Sequence, residues 1–166
     1  MPQFTQKYAL IQLFEDMPVG TEFPSSNWPL HSTIADTFAI DWDVHILVEK
    51  LTELLKNHPQ AASVAEDDRF FGDNGEVQVV LLEKTDRLVK LHYDVIELLE
   101  QGGWKPNDPQ FAKKGFLPHA TVQPHARLNK GDEVVFNALS IIDMFPNEDP
   151  YQRRVLETIL LARRTL

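Results

Sequence analysis

Two short stretches of the sequence carry the same residue types in the same order. Trp28-Pro29-Leu30-His31-Ser32-Thr33-Ile34 and Phe116-Leu117-Pro118-His119-Ala120-Thr121-Val122 both run His, small residue, Thr, β-branched aliphatic, with a proline and an aromatic just upstream. One copy lies in each half of the 166-residue chain. Side chains alternate faces along a strand, so His31 points with Thr33 and His119 with Thr121, while Ile34 and Val122 turn toward a core. Imidazole, with an ordinary pKa near 6.5, accepts or donates a proton close to neutral pH. A threonine hydroxyl beside it can donate to a phosphoryl oxygen, where charge is held in the transition state. Displacement at phosphorus needs base and acid on opposite sides, which the two histidines would supply only from strands that face each other. Placed that way they contribute about 10² to 10⁴ in rate. The arrangement requires no divalent cation. His31, Thr33, His119 and Thr121 are the catalytic candidates, and the sequence does not say which histidine is the base.

Other polar and aromatic residues admit plainer readings. His125 follows His119 closely, so zinc held by His31, His119 and His125 is conceivable, but no ligand triplet of recognised spacing accompanies it. His92 falls on the apolar face of a helix, where a satisfied buried imidazole is expected. His45 and His58 flank another helix as surface or capping groups, and Asp41, Asp43, Asp67 and Asp68 suit loop and cap positions. Arg127 and Lys130, with Lys113 and Lys114, are candidate phosphate contacts. Phe116 and Trp28 are the aromatics nearest the motifs and the candidates for stacking on a base; Phe71 and Trp104 are weaker ones.

The elements that must position these groups follow from pattern. Tyr8 to Phe14 reads as a buried strand, the Pro- and Gly-containing stretch Met17 to Pro29 as a loop, and His31 to Phe38 as a strand. Asp43 caps a helix whose apolar positions run from Val44 to Leu55 before Asn57-His58-Pro59 ends it. Ala61 to Phe71 and Glu76 to Leu82 form a hairpin across Gly72-Asp73-Asn74-Gly75. Thr85 to Gln101 is a helix stopped by Gly102-Gly103. Phe116 to Gln123, Glu133 to Ile142 and Arg154 to Ala162 are three further strands. The predicted class is α+β, a single bilobal domain over 1–166 of mostly antiparallel sheet with outer helices around a central cleft.

The repeated motif resembles that of the 2H phosphoesterase superfamily, and within it the bacterial 2′-5′ RNA ligase-like proteins. Their hallmark is two His-x-Thr-x motifs on strands of two pseudo-symmetric lobes that face each other across a cleft. The resemblance spans the whole chain in length, motif separation and element order. It implies 2′,3′-cyclic phosphodiesterase or ATP-independent 2′,5′ ligase activity on an RNA end or a small cyclic or phosphorylated nucleotide, with no cofactor. The residues it carries over are His31, Thr33, His119 and Thr121. Asp36 stands where many relatives have phenylalanine, with Phe38 coming later. Gln123-Pro124 stand where many have arginine, with Arg127 further on. Those departures bear on substrate more than on chemistry. The alternative is a catalytically silent nucleotide or RNA-end binding module of the same fold.

Bulk properties bound these readings. The net charge of −9 disfavours sequence-independent binding to duplex nucleic acid, which needs a broad cationic face. Charge is uneven: Asp36 to Glu76 is net −7, whereas Lys105 to Lys130 is net +4, which reads either as two solvated faces or as a local anion funnel for a small phosphorylated ligand. There is no cysteine, hence no disulfide, thiol nucleophile or thiolate site. No apolar run approaches the roughly 20 residues of a membrane span, and Met1-Pro2-Gln3-Phe4 lacks the order of an export signal. A cytoplasmic protein with no membrane contact is expected; nothing points to a stable protein partner.

Overall fold

The computed structural model describes residues 6–163, so the Met1-Pro2-Gln3-Phe4 stretch lies outside it. In chain order the elements are β1 (Tyr8–Leu13), β2 (Glu22–Pro24), β3 (His31–Ala39), α1 (Val44–Leu55), β4 (Ala61–Phe71), β5 (Val77–Leu82) and α2 (Asp86–Gln101). There follow β6 (Lys105–Pro106), β7 (His119–Thr121), β8 (Glu133–Phe136), β9 (Ala138–Asp143) and β10 (Gln152–Leu160). One sheet has the order β2-β10-β9-β1-β3-β6, the other β7-β5-β4-β8. The ladders between these strands are antiparallel. The fold is α+β with two lobes, as expected.

Local chemistry explains the helices. Asp43 accepts the Ile46 N–H at 3.0 Å and Thr85 the Leu88 N–H at 3.2 Å, so each helix opens on a side-chain cap. Leu47, Leu51 and Leu55 of α1 are buried, as are Leu88, Leu91, His92, Val95, Ile96 and Leu99 of α2. Helix α2 ends where Gly103 takes φ +83°, and a Cβ there would collide with the Asp41 carboxylate.

Strand assignments differ from the sequence reading in several places. The stretch from Glu133 to Ile142 is two strands, because the chain leaves the second sheet and enters the first at Asn137. Buried Gln12 of β1 makes that crossing tenable: its Oε1 accepts the N–H groups of Asn137 (2.7 Å) and Ala138 (3.0 Å). The strand expected from Phe116 to Gln123 shrinks to β7: Pro118 before it lacks the N–H a ladder needs, and past it the Gln123 N–H bonds the Ala126 carbonyl in a turn. The loop from Met17 to Pro29 contains β2, whose Phe23 is buried against Trp28.

The six-stranded sheet is apolar on both faces. One face joins the helices and the second sheet in the main core, through Leu10, Ile34, Phe38, Leu139 and Ile141. The other carries a smaller cluster of Ala9, Ile11, Phe23, Ile142 and Val155, with Leu13 and Trp28 packed on it. Register puts Leu13 opposite His31 and Ile11 opposite Thr33, so the first motif shares the face of the smaller cluster.

Candidate active site

The first motif stands on β3, the second on β7, and these strands approach to within 8 Å between Cα atoms where the two sheets meet. Each is open toward the other: β7 is the edge of its sheet, and β6 covers only Phe38 and Ala39 of β3. Alternation then works as expected. Ser32, Ile34 and Ala120 are buried, while His31, Thr33, His119 and Thr121 are half-buried. Val122, expected in the core, is half-buried and packs against it.

The two imidazoles are held alike. His31 Nδ1 donates to the Pro29 carbonyl at 2.8 Å and His119 Nδ1 to the Leu117 carbonyl at 2.7 Å, each two residues upstream. A carbonyl only accepts, so each neutral ring carries its proton on Nδ1 and leaves Nε2 as a lone pair. Among the described residues no hydrogen bond engages either Nε2. An aromatic ring flanks each: Trp28 lies 4.8 Å from His31, Phe71 5.1 Å from His119.

Burial pushes both imidazoles below their ordinary 6.5. Protonation of His119 further disfavours that of His31, so the rings lie within electrostatic reach of each other. Carboxylates oppose the trend without reversing it, Glu15 at His31 and Asp36 at His119. Asp36 is itself raised, first by desolvation and then by Asp108.

Three histidines outside the motifs bond within the fold: His58, His92 and His125. His92 donates Nδ1–H to the Ile34 carbonyl (2.7 Å), accepts the Lys113 N–H on Nε2 (2.8 Å), and stacks on Phe116 at 4.1 Å. Its expected satisfied burial is what the structure has. The surface or capping role expected of His58 is corrected: it is 7% exposed and bonds Asp94 at 3.0 Å. His125 pairs with Glu15 at 2.8 Å, and no cluster among the described residues could hold a metal ion.

The structure sets the other expected ligand-binding groups against partners within the protein. Phe116, expected to stack on a base, is 4% exposed with its face on His92, a core position. Arg127 is committed to Asp68 at 2.6 Å and Lys130 to Asp67 at 2.9 Å; Lys113 pairs with Glu100 and Lys105 with Asp41. The anion funnel expected from the basic stretch is thereby largely neutralised, because folding lays that stretch beside acids it never meets in sequence. Trp28, in contrast, does reach the site.

One cation escaped the sequence reading. Register aligns Thr121 with Val79 and Val79 with Arg69, so the three side chains share one face of the second sheet with Phe71. Arg69 is exposed and has no ion pair among the described residues. The signal was available in the hairpin: a turn centred on Gly72 to Gly75 sets Phe71 against Val77, which fixes the faces of Arg69 and Val79.

No protein-family model and no curated protein sequence matches the chain. Solved structures do. A phosphoesterase crystal structure superposes with TM-score 0.55 over 95% of this chain and 99% of that one, at 15% identity. E. coli LigT complexed with 3′-AMP gives 0.55 over 95% and 98%, also at 15% identity. TT0787 of Thermus thermophilus gives 0.60 over 97% and 100% at 14% identity. At such identities the likeness establishes the fold.

Proposed function

We propose that the chain is a metal-independent phosphoesterase that opens 2′,3′-cyclic phosphates, or makes and breaks 2′,5′ phosphodiester links, in RNA or small nucleotides. The observation that carries this reading is the matched pair of imidazoles on facing strands, each tied at Nδ1 and unpartnered at Nε2. Its setting is a fold shared with a phosphoesterase and with a protein crystallised with 3′-AMP. In hydrolysis one Nε2 takes a proton from water as the water oxygen bonds to phosphorus. The bond from phosphorus to the leaving sugar oxygen breaks, and the other imidazolium protonates that oxygen. Ligation reverses both transfers. Thr33 and Thr121 donate to the non-bridging oxygens, Arg69 supplies positive charge from the same sheet face two strands from Thr121, and Trp28 and Phe71 offer ring faces to a base.

Turnover of 2′,3′-cyclic mononucleotides in EDTA, for wild type, His31→Ala and His119→Ala, tests the proposal. Activity should survive EDTA and fall about 10²- to 10⁴-fold in each variant. Arg69→Ala should chiefly raise KM. Full activity in either histidine variant, or abolition by EDTA, would sink the mechanism.

A further inference from the structure

We propose that Glu15 is a positioning residue for His31, acting through the Pro29–Leu30 peptide, with His125 holding Glu15 in place. The inference rests on the two-histidine reading above and adds a component to it. The carbonyl of Pro29 and the N–H of Leu30 belong to one planar peptide unit. The carbonyl end accepts His31 Nδ1–H at 2.8 Å, and the N–H end donates to Glu15 Oε2. The same Oε2 accepts from His125 Nε2 at 2.8 Å. A continuous chain therefore runs His125, Glu15, peptide, His31.

Two consequences follow from elementary electrostatics. A carboxylate bound at the N–H end draws negative charge toward the carbonyl oxygen, which strengthens the bond to His31 and favours its imidazolium. Fixing both ends of the peptide also fixes the direction in which His31 Nε2 points, since the Nδ1 hydrogen bond restrains rotation of the ring about Cβ–Cγ. Glu15 thus does through one peptide what a carboxylate does by direct contact in a hydrolytic triad.

The second motif cannot be built this way. His119 bonds the carbonyl of the Leu117–Pro118 peptide, and proline has no N–H to donate. The two imidazoles, alike at first sight, are therefore tuned differently. Glu15 and His119 are the ionisable groups facing His31; Arg153 of β10 lies over the Trp28 ring, 5.7 Å from its centroid. Asp36 faces His119. His125 belongs to the loop after β7, so its bond to Glu15 also ties the second sheet to the segment leaving β1.

Glu15→Gln retains an oxygen for the Leu30 N–H but removes the charge; Glu15→Ala removes both. The test follows the Cε1–H resonances of His31 and His119 through a pH titration, alongside kcat and KM for a 2′,3′-cyclic mononucleotide. Glu15→Gln should move the His31 midpoint to lower pH, leave that of His119 in place, and lower kcat about tenfold with KM little changed. Glu15→Ala should lower kcat further, toward 10²-fold or so, and His125→Ala should act in the same direction by a smaller factor. An unmoved His31 midpoint in both Glu15 variants, with native amide dispersion, would overturn the proposal. The titration needs no substrate, so a wild type inert toward cyclic nucleotides would remove the functional reading and still leave Glu15 tested.

Discussion

Each imidazole of the motif pair commits one nitrogen to a backbone carbonyl and leaves the other unbonded among the described residues, and that division has a kinetic consequence. Burial holds both below 6.5, so in the free protein the state with one ring protonated and one neutral is most populated on the acid side of that value. The kcat/KM profile should be a bell with its maximum below pH 6.5, its apparent pKa values belonging to the pair. A bound phosphodiester anion favours the protonated rings, so the kcat profile should lie at higher pH. Steady-state kinetics between pH 4.5 and 8.5 or so would show it; a common optimum above 7 for both parameters would contradict it. Of the residues read as binding groups, Trp28 reaches the site, whereas Phe116, Arg127 and Lys130 are occupied by His92, Asp68 and Asp67.

Between residue and molecule stand the elements that fix the motif strands, and α2 matters most through His92. Strand β3 bulges opposite Leu10 and Ile11, leaving Ile34 out of register with β1, and His92 takes its carbonyl. The other ring nitrogen holds the Lys113 amide, on the segment leading into the second motif. One helix side chain thus braces both motif-bearing segments. His92→Phe preserves stacking with Phe116 but orphans a carbonyl and an N–H. It should destabilise the fold by about 2 to 4 kcal/mol, read as a lower urea midpoint. A loss under about 0.5 kcal/mol would mean that water replaces both bonds.

Across the whole molecule, three imidazoles lie below the ordinary value because of burial: His31, His92 and His119. Between their native pKa values and 6.5 the unfolded chain binds more protons, so stability is fully present above 6.5 and declines as pH falls through that window. Glu15, Asp68 and Asp94, held low by hydrogen bonds and opposite charge against some desolvation, add a second decline as pH drops below their ordinary 4.5 and 3.8. A net charge of −9 works in the opposite direction, since acid relieves repulsion, so the measurement belongs at high salt. Urea midpoints should fall from pH 6.5 downward; midpoints that rise between pH 6.5 and 5 would contradict the assignment.

The sequence by itself determined whatever depends on neighbours a few residues apart. Strand alternation put His31 with Thr33 and His119 with Thr121, capping residues set both helix starts, and the turn residues from Gly72 to Gly75 joined two strands as a hairpin. Resemblance in the repeated motif anticipated the two-lobed α+β fold that the solved structures share. Only tertiary structure decided which distant groups meet. Lys130 finds Asp67, Arg127 finds Asp68 and Glu15 finds His125, contacts that span from dozens to more than a hundred residues. Ion pairs and peptide-mediated bonds of this kind leave no periodicity, because they form wherever the packed sheets happen to bring opposite charges together.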